Sequence, residues 1–395
     1  MNIILFDQIN HENLLPLTFT RPISDLRIGI LKIKDKWEKH LKTTVSVLTE
    51  NYLQTKFPIK IEVENLLINA SVIPNKNIIN EINNLELGQL LVKNDTPIAL
   101  VLKNFRVKSF DFTKFNNFEQ IEAKSEFLSI NYPWDIFSKN GEEIKNDFKL
   151  LTKGKTSQKL SKTVNAIQIE NIFLEEGAKV EFATLNPNGG YMYIGKNAEI
   201  MEGAIVRGSL AMCEYSTLKL GAKIYGATTI GPHSKVGGEV NNSVIQGYSN
   251  KGHDGFLGNS VLGEWCNLGA DTNNSNLKNN YSEVKLWNYK KKGFAKSGLQ
   301  FCGLIMGDHS KCGINTMFNT GTVVGVSANI FGDGFPRNFI PSFSWGGASG
   351  FVTYKLNKVF ETSQLVMQRR GINLDETEQA ILEEIFNRTE EFRAK

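Results

Sequence analysis

His253 lies in the run Asn250-Lys251-Gly252-His253-Asp254-Gly255-Phe256-Leu257-Gly258, one residue after a glycine and five before another. Histidine titrates near neutral pH, so its ring can accept a proton from a reacting group and return it. A corner histidine hydrogen-bonded to backbone is the competing structural reading, and for a histidine without context it comes first. Lys285–Lys296 (KLWNYKKKGFAK) sets five lysines beside three aromatics. Such a loop either neutralises phosphates while its rings cover a flat heterocycle, or is a solvated basic loop. Cys213, Cys266, Cys302 and Cys312 show no C-x-x-C pair and no metal spacing, and read as reduced thiols of a cytoplasmic protein. His233 and His309 fall at turns without a comparable setting and read as structural. His11 and His40 read as surface residues.

The elements that must carry these groups have two textures. Of 34 glycines, 28 lie between Gly189 and Gly350. Before them, short apolar runs alternate with helix-like segments. Met1–Phe6, Thr44–Leu48, Leu66–Ile73 and Ile98–Leu102 read as strands and Ile28–Leu41 as a helix, an alternation that predicts a parallel α/β sheet over 1–150. A polar stretch, 151–163, suits a linker. From Ile194 every sixth residue is apolar: Ile200, Val206, Met212, Leu218, Ile224, Ile230 and Val236 follow. The register slips and resumes at Val244, Phe256, Leu262 and Leu268, with Asn250 as a polar miss, and again at Met306, Cys312, Phe318, Val324 and Ile330. A period of six fits a parallel β-helix over 164–350, in which each flat face contributes one inward residue per hexad. Beyond it, 351–395 has helical spacing. Asp375 with Glu378 resembles a capping box, and these helices are expected to cap the open end of the solenoid.

Composition bounds the rest. The chain has 395 residues, too many for one ordinary core, and is 41% hydrophobic and 22% charged, as in globular proteins. A net charge of +4 is too mild to argue for nucleic acid or membrane binding. No apolar run reaches the ~18 residues of a spanning helix, and the first residues lack a signal-peptide pattern.

The segments PLTFTRPISDLRIGI, YPWDIF, NKGHDGFLG and GFPRNFIPSFSWGG together resemble a known family. It is the two-domain enzymes joining glucosamine-1-phosphate N-acetyltransferase to N-acetylglucosamine-1-phosphate uridylyltransferase, in a divergent Bacteroidetes-type branch of sugar nucleotidyltransferases. The likeness covers nearly the whole chain, specifically over 190–350 and more loosely over 1–150. It implies an α/β nucleotidyltransferase-like domain, a left-handed parallel β-helix and C-terminal helices. It implies acetyl transfer from acetyl-CoA to glucosamine-1-phosphate, then reaction with UTP to give UDP-N-acetylglucosamine, a cell wall precursor, in a cytoplasmic homotrimer.

By the same resemblance His253 is the acetyltransferase base. Glu239 and Asn241 contact the amino sugar, and Asn267 and Asn276 hold sugar, base or acyl donor. Asn241 stands in place of a lysine, and Phe256 and Leu277 in place of tyrosines. Lys290, Lys291 and Lys292 are the residues expected to meet the phosphates of coenzyme A. In the first domain Thr20 and Arg21 resemble the Thr-Arg of the family's triphosphate loop, with Arg27 near its second cation. The loop glycines are absent, and pairing of the two arginines with Asp7 or Asp25 is the alternative. Nucleotidyl transfer implies Mg2+, but Asp7, Asp25, Asp95 and Asp135 offer no assignable metal carboxylate. Two other functions stay open: a single-activity nucleotidyltransferase with a structural β-helix, and a non-catalytic sugar-nucleotide sensor.

Overall fold

The computed structural model describes residues 1–7, 10–107, 114–115 and 117–393. The chain forms two compact units, one of residues 1–14, 20–26 and 31–132, the other of 15–19, 27–30 and 133–395.

The first unit is built on a six-stranded sheet in the order Ser46–Leu48, Asn2–Phe6, Glu64–Asn69, Thr96–Lys103, Gln89–Lys93, Glu119–Glu122. Alternating aliphatics bury Ile4, Leu67, Leu90 and Leu100 in one cluster. The sheet is mixed, where the sequence predicts a parallel one. The pairs around Asn2–Phe6 are parallel, but Thr96–Lys103 runs antiparallel to both its neighbours. The cause is the tight turn Asn94-Asp95, both residues at positive φ (47° and 62°), which returns the chain directly and leaves no room for a crossover. The first long helix begins at Ile33 rather than Ile28, where the Asp35 carboxylate accepts the Lys32 N–H at 3.3 Å.

The second unit is a parallel β-solenoid with three ladders. The first face runs from Ile172–Leu174 to Phe339–Ile340, the second from Lys179–Val180 to Ser344–Gly347, and the third from Asn165–Ala166 to Met317–Phe318. This is the left-handed hexapeptide β-helix fold. All eight residues of the series Ile194 to Val236 point inward and belong to one continuous core. So do Met306, Cys312, Phe318, Val324 and Ile330. Burying such side chains is worth ~1.5–3 kcal/mol each. Between these runs the register differs from expectation. Ile230 pairs with Ile245, not Val244, and Leu257, not Phe256, continues the core. The corner at Gly237-Gly238 is shortened, so the inward positions just after it move, whereas Leu262 and Leu268 are inward as expected. The consequence falls on Lys251, which pairs with the core residue Val236 and is almost wholly buried.

An insertion after Asn273–Asn274 forms the hairpin Lys285–Asn288/Gly293–Lys296 before the first face resumes at Ile305–Met306. The antiparallel strand Gly350–Thr353 closes the second face. The helix Leu356–Gln368 then lines a cleft on the second face, and Glu376–Arg388 sets Phe386 edge-on against Phe343 of the last coil at 5.1 Å. Val359 and Met367 are buried on the first helix, and the Arg370 guanidinium beyond it donates to the His233 carbonyl at 3.3 Å. Asp375 caps the second, accepting the Glu378 N–H at 2.8 Å. Among the described residues no helix is long and apolar enough to cross a membrane.

Candidate functional site

His253 occupies the corner between the second-face strand Asn250–Lys251 and the third-face strand Phe256–Gly258. Its ring is exposed. The loop lies close over the preceding turn, and this explains the glycines there. A Cβ on Gly238 (φ 68°) would sit 2.7 Å from both the Asp254 Cα and the His253 carbonyl oxygen, and one on Gly237 would sit 2.6 Å from the Gly252 oxygen. From above, the Asp271 N–H donates to the Asp254 carbonyl at 3.0 Å.

His253 and Asn267 line the same cleft, about 710 Å³, between the second face and the helix Leu356–Gln368. Its walls carry Lys219, Lys235, Lys311, Arg369 and Arg370. Burial lowers the Lys235 pKa, reinforced by Arg370, Lys219 and Arg369. Burial also brings Lys311 down to about 8 against a small opposing effect of Cys266; its Nζ donates to the His309 carbonyl at 2.8 Å. Tyr248 and Trp265, which line the cleft, belong to a column of rings. Tyr215, His233, Tyr248, Trp265 and His309 stack with centroids 4.9, 5.0, 4.4 and 6.3 Å apart and planes within 18°. All five adopt positive φ, a conformation that costs a non-glycine residue ~1–2 kcal/mol and is repaid here by stacking. Sequence reasoning missed this column. Its signal is simple: each ring stands three residues after an inward residue of the first face (Met212, Ile230, Ile245, Leu262, Met306). Burial lowers the His233 pKa, with Arg370 adding to the effect and Glu214 opposing it.

The other expected residues of this half are spread around the corner. Glu239 and Asn241 flank inward Val240 on the third face, and Glu239 Oε1 accepts from the Tyr225 hydroxyl at 2.6 Å. Asn276 donates to the Asn259 side-chain oxygen at 2.8 Å. A Cβ on Gly258 would meet the Phe256 ring at 2.5 Å, so the ring of Phe256 lies against this glycine. Lys290, Lys291 and Lys292 are exposed at the hairpin turn and are not among the residues lining the His253 cleft. Lys292 pairs with Glu391 at 2.7 Å.

In the first unit Thr20 and Arg21 are buried, and the Arg21 guanidinium stands 3.6 Å from Asp25. Lys32 also reaches Asp25, at 2.9 Å. His11, expected at the surface, is buried with its Nδ1 2.8 Å from Asp7. Arg27 departs furthest from expectation. It belongs to the solenoid unit, its Nε donates to the Gln246 carbonyl at 3.3 Å, and its Nη1 donates to the Ile30 carbonyl. The Gln246 side chain returns the contact, its oxygen accepting the Arg27 N–H at 2.7 Å. A guanidinium so bound to backbone acts as a structural bolt. Among the described residues no three His, Cys, Asp or Glu come together around a common point. Asp7 is bound by His11, Thr49 and the Ile23 N–H, and Asp135 by Lys139. These carboxylates do not fit a protein-built Mg2+ cage, which wants free oxygens in near-octahedral array.

Residues 3–156 match the family described as sugar nucleotidyl transferase. Three curated proteins are similar to the chain. A bifunctional sugar-1-phosphate nucleotidylyltransferase/acetyltransferase of Sulfurisphaera tokodaii is 29% identical over 236 residues, 59% of this chain and 49% of that protein. The bifunctional protein GlmU of Methanococcus aeolicus is 26% identical over 263 residues, 66% of this chain and 53% of that protein. The protein of the same name from Methanocaldococcus jannaschii is 37% identical over 87 residues, 22% of this chain and 21% of that protein. The chain spans about half the length of the first two relatives. Residues 3–156 are thus similar to sugar nucleotidyl transferases, and the chain resembles sugar-1-phosphate nucleotidylyltransferase/acetyltransferases over part of their length.

Proposed function

We propose that the chain is a two-activity transferase that acetylates glucosamine-1-phosphate from acetyl-CoA and then couples the product to UTP, forming UDP-N-acetylglucosamine and pyrophosphate. The observation that carries the first activity is His253 at the mouth of a cationic, ring-lined cleft. The amino sugar arrives protonated, and an ammonium has no lone pair to attack a thioester. The His253 imidazole takes that proton. The freed amine attacks the thioester carbonyl; as the C–N bond forms and the C–S bond breaks, the nitrogen gives up a second proton, so that one of the two protons goes to the leaving thiolate and the other to solvent. Glu239 and Asn241 serve the sugar from the third face. Asn267 serves the acyl donor from the cleft, whose lysines and arginines answer the phosphates of coenzyme A. In this reading they replace Lys290, Lys291 and Lys292, which stand on the hairpin.

The second activity rests on the family match over 3–156, with Thr20 and Arg21 as the loop that meets the triphosphate. Nucleotidyl transfer in general draws on Mg2+ to neutralise the phosphates. The four free, buried cysteines suit a reducing compartment. A homotrimer is supported by apolar side chains standing exposed on the solenoid, Phe182, Ile205 and Leu220. A monomeric mass by light scattering would contradict it.

The experiment is a pair of product assays on the full chain and on His253→Ala. Thiol release from acetyl-CoA with glucosamine-1-phosphate is expected of the wild type and lost in the variant, with pyrophosphate release retained by both. No thiol release from the wild type overturns the acetyl transfer reading. Pyrophosphate release alone would select the single-activity reading, which the Asn241, Phe256 and Leu277 replacements favour.

A further inference from the structure

Lys251 breaks the rule of the solenoid. Its neighbour in register, Val236, is aliphatic, as are Ile230, Ile245 and Leu257 along the same interior. An ammonium drawn into such an interior is costly unless something binds it. Here its Nζ donates to the carbonyl oxygen of His253, two residues on. The carboxylates of Asp254 and Asp271 stabilise the charge from the corner, and the Cys312 thiol faces it inside. Burial is the larger effect and brings the Lys251 pKa down to about 8.

Backbone bonds from Asp271 to the Asp254 carbonyl (3.0 Å) and from Glu239 to the Gly255 carbonyl (3.2 Å) hold the far side of the loop, and the ammonium is the donor to the His253 carbonyl itself. Gly252 and Gly255 flank His253 and Asp254, and Gly255 has φ 113°, so the backbone by itself has wide freedom. We propose that Lys251 is a positioning residue for His253, its ammonium anchoring the His253 carbonyl from within the prism so that the exposed imidazole is presented to the cleft in one orientation. This rests on the reading of His253 as the acetyl transfer base. An aliphatic residue at 251 would fill the same space and leave that carbonyl without its interior donor.

The test compares the wild type with Lys251→Met, which keeps length and burial but removes the donor. His253 is one of five histidines in the chain, and its Cε1 proton resonance is assigned by its disappearance in His253→Asn. In Lys251→Met that resonance should shift or broaden while the other four hold. The melting temperature should stay the same or rise, since a buried charge has been removed. Acetyl transfer should lose about 10- to 100-fold in kcat with the KM for acetyl-CoA unchanged, the pattern of a displaced catalytic group. An unmoved His253 resonance overturns the assignment whatever the activity shows. If the wild type transfers no acetyl group, the function reading has failed, and the resonance still decides whether Lys251 anchors His253. Lys251→Leu, the residue type usual at interior positions, keeps the test open should Lys251→Met not fold. Failure of both to fold makes Lys251 part of the core and overturns the proposal.

Discussion

The sheet of the first unit and the solenoid of the second handle polar residues in opposite ways. In the first, the groups proposed to meet a nucleotide also take part in packing: Thr20 and Arg21 are buried, and Asp7 is bound by a histidine, a threonine and a backbone N–H. In the solenoid the aliphatic core is continuous but for Lys251, and His253, Asn267 and a set of cations share one cleft outside it. A repeat separates the two tasks, because the inward residue of each hexad secures the fold and frees its neighbours for chemistry. A mixed sheet with few strands has no such division, so one loop must both pack and bind.

Two glycines at positive φ test that contrast most strongly. Gly238 (φ 68°) lies under the His253 loop, and Gly88 (φ 87°) in the first unit has nothing within 4 Å of a Cβ. Gly238→Ala should combine backbone strain with displacement of His253, destabilising by about 3 kcal/mol and lowering acetyl transfer roughly 100-fold. Gly88→Ala should cost about 1 kcal/mol and leave acetyl transfer alone. Chemical denaturation and thiol release measure both. Equal losses at the two sites would remove the contrast. The next effect is a pH dependence. Lys251 in the folded protein titrates at about 8, below the ordinary lysine value of 10.5. Between those values the unfolded chain holds more protons, so stability rises with pH across that window and the interior charge is a burden below pH 8. The melting-temperature advantage of Lys251→Met should therefore be full at pH 7 and shrink from pH 8 to 10.5. A pH-independent difference would mean that the ammonium is not the cost.

What could be read in advance follows the same division. The hexads from Ile194 to Val236 were legible because a fixed period labels inside and outside residue by residue. The shortened corner at Gly237-Gly238 was not, since losing residues at a turn changes the phase without changing composition. That slip hid Lys251 behind Asn250 and placed Val244 and Phe256 where Ile245 and Leu257 belong. His253 stood out through its local motif, and it lines the cleft. The column of rings went unread because its signal, a ring three residues after each inward first-face residue, shows only once the inward residues have been sorted by face. In the first unit the strands were legible as apolar runs. Their directions were not, because Asn94-Asp95 decides the antiparallel return by backbone conformation alone. The backbone bonds of Arg27 were not legible, because the type of a side chain says nothing of the carbonyls around it.

Arg27 sharpens the comparison further. With Nε and Nη1 both on backbone carbonyls in a buried setting, Arg27→Met should destabilise the solenoid unit by about 2–3 kcal/mol, the usual cost of leaving buried partners of a charged group unmade. The KM for UTP should not move. A selective rise in that KM at full stability would return Arg27 to the nucleotide.

The smallest expected effect separates two basic regions of the same unit. Lys235 and Arg370 line the cleft that His253 shares, whereas Lys290, Lys291 and Lys292 stand exposed on a hairpin turn. Charges in a partly enclosed cleft act through a lower dielectric than charges in open water, so their removal weakens a bound polyanion more. Lys235→Ala with Arg370→Ala should raise the KM for acetyl-CoA about tenfold, equivalent to ~1.4 kcal/mol, and less so at high salt. The triple change of Lys290, Lys291 and Lys292 to Ala should alter it less than about twofold, the effect expected of solvated surface charge. The reverse ranking would place coenzyme A on the hairpin and leave the cleft to another anion.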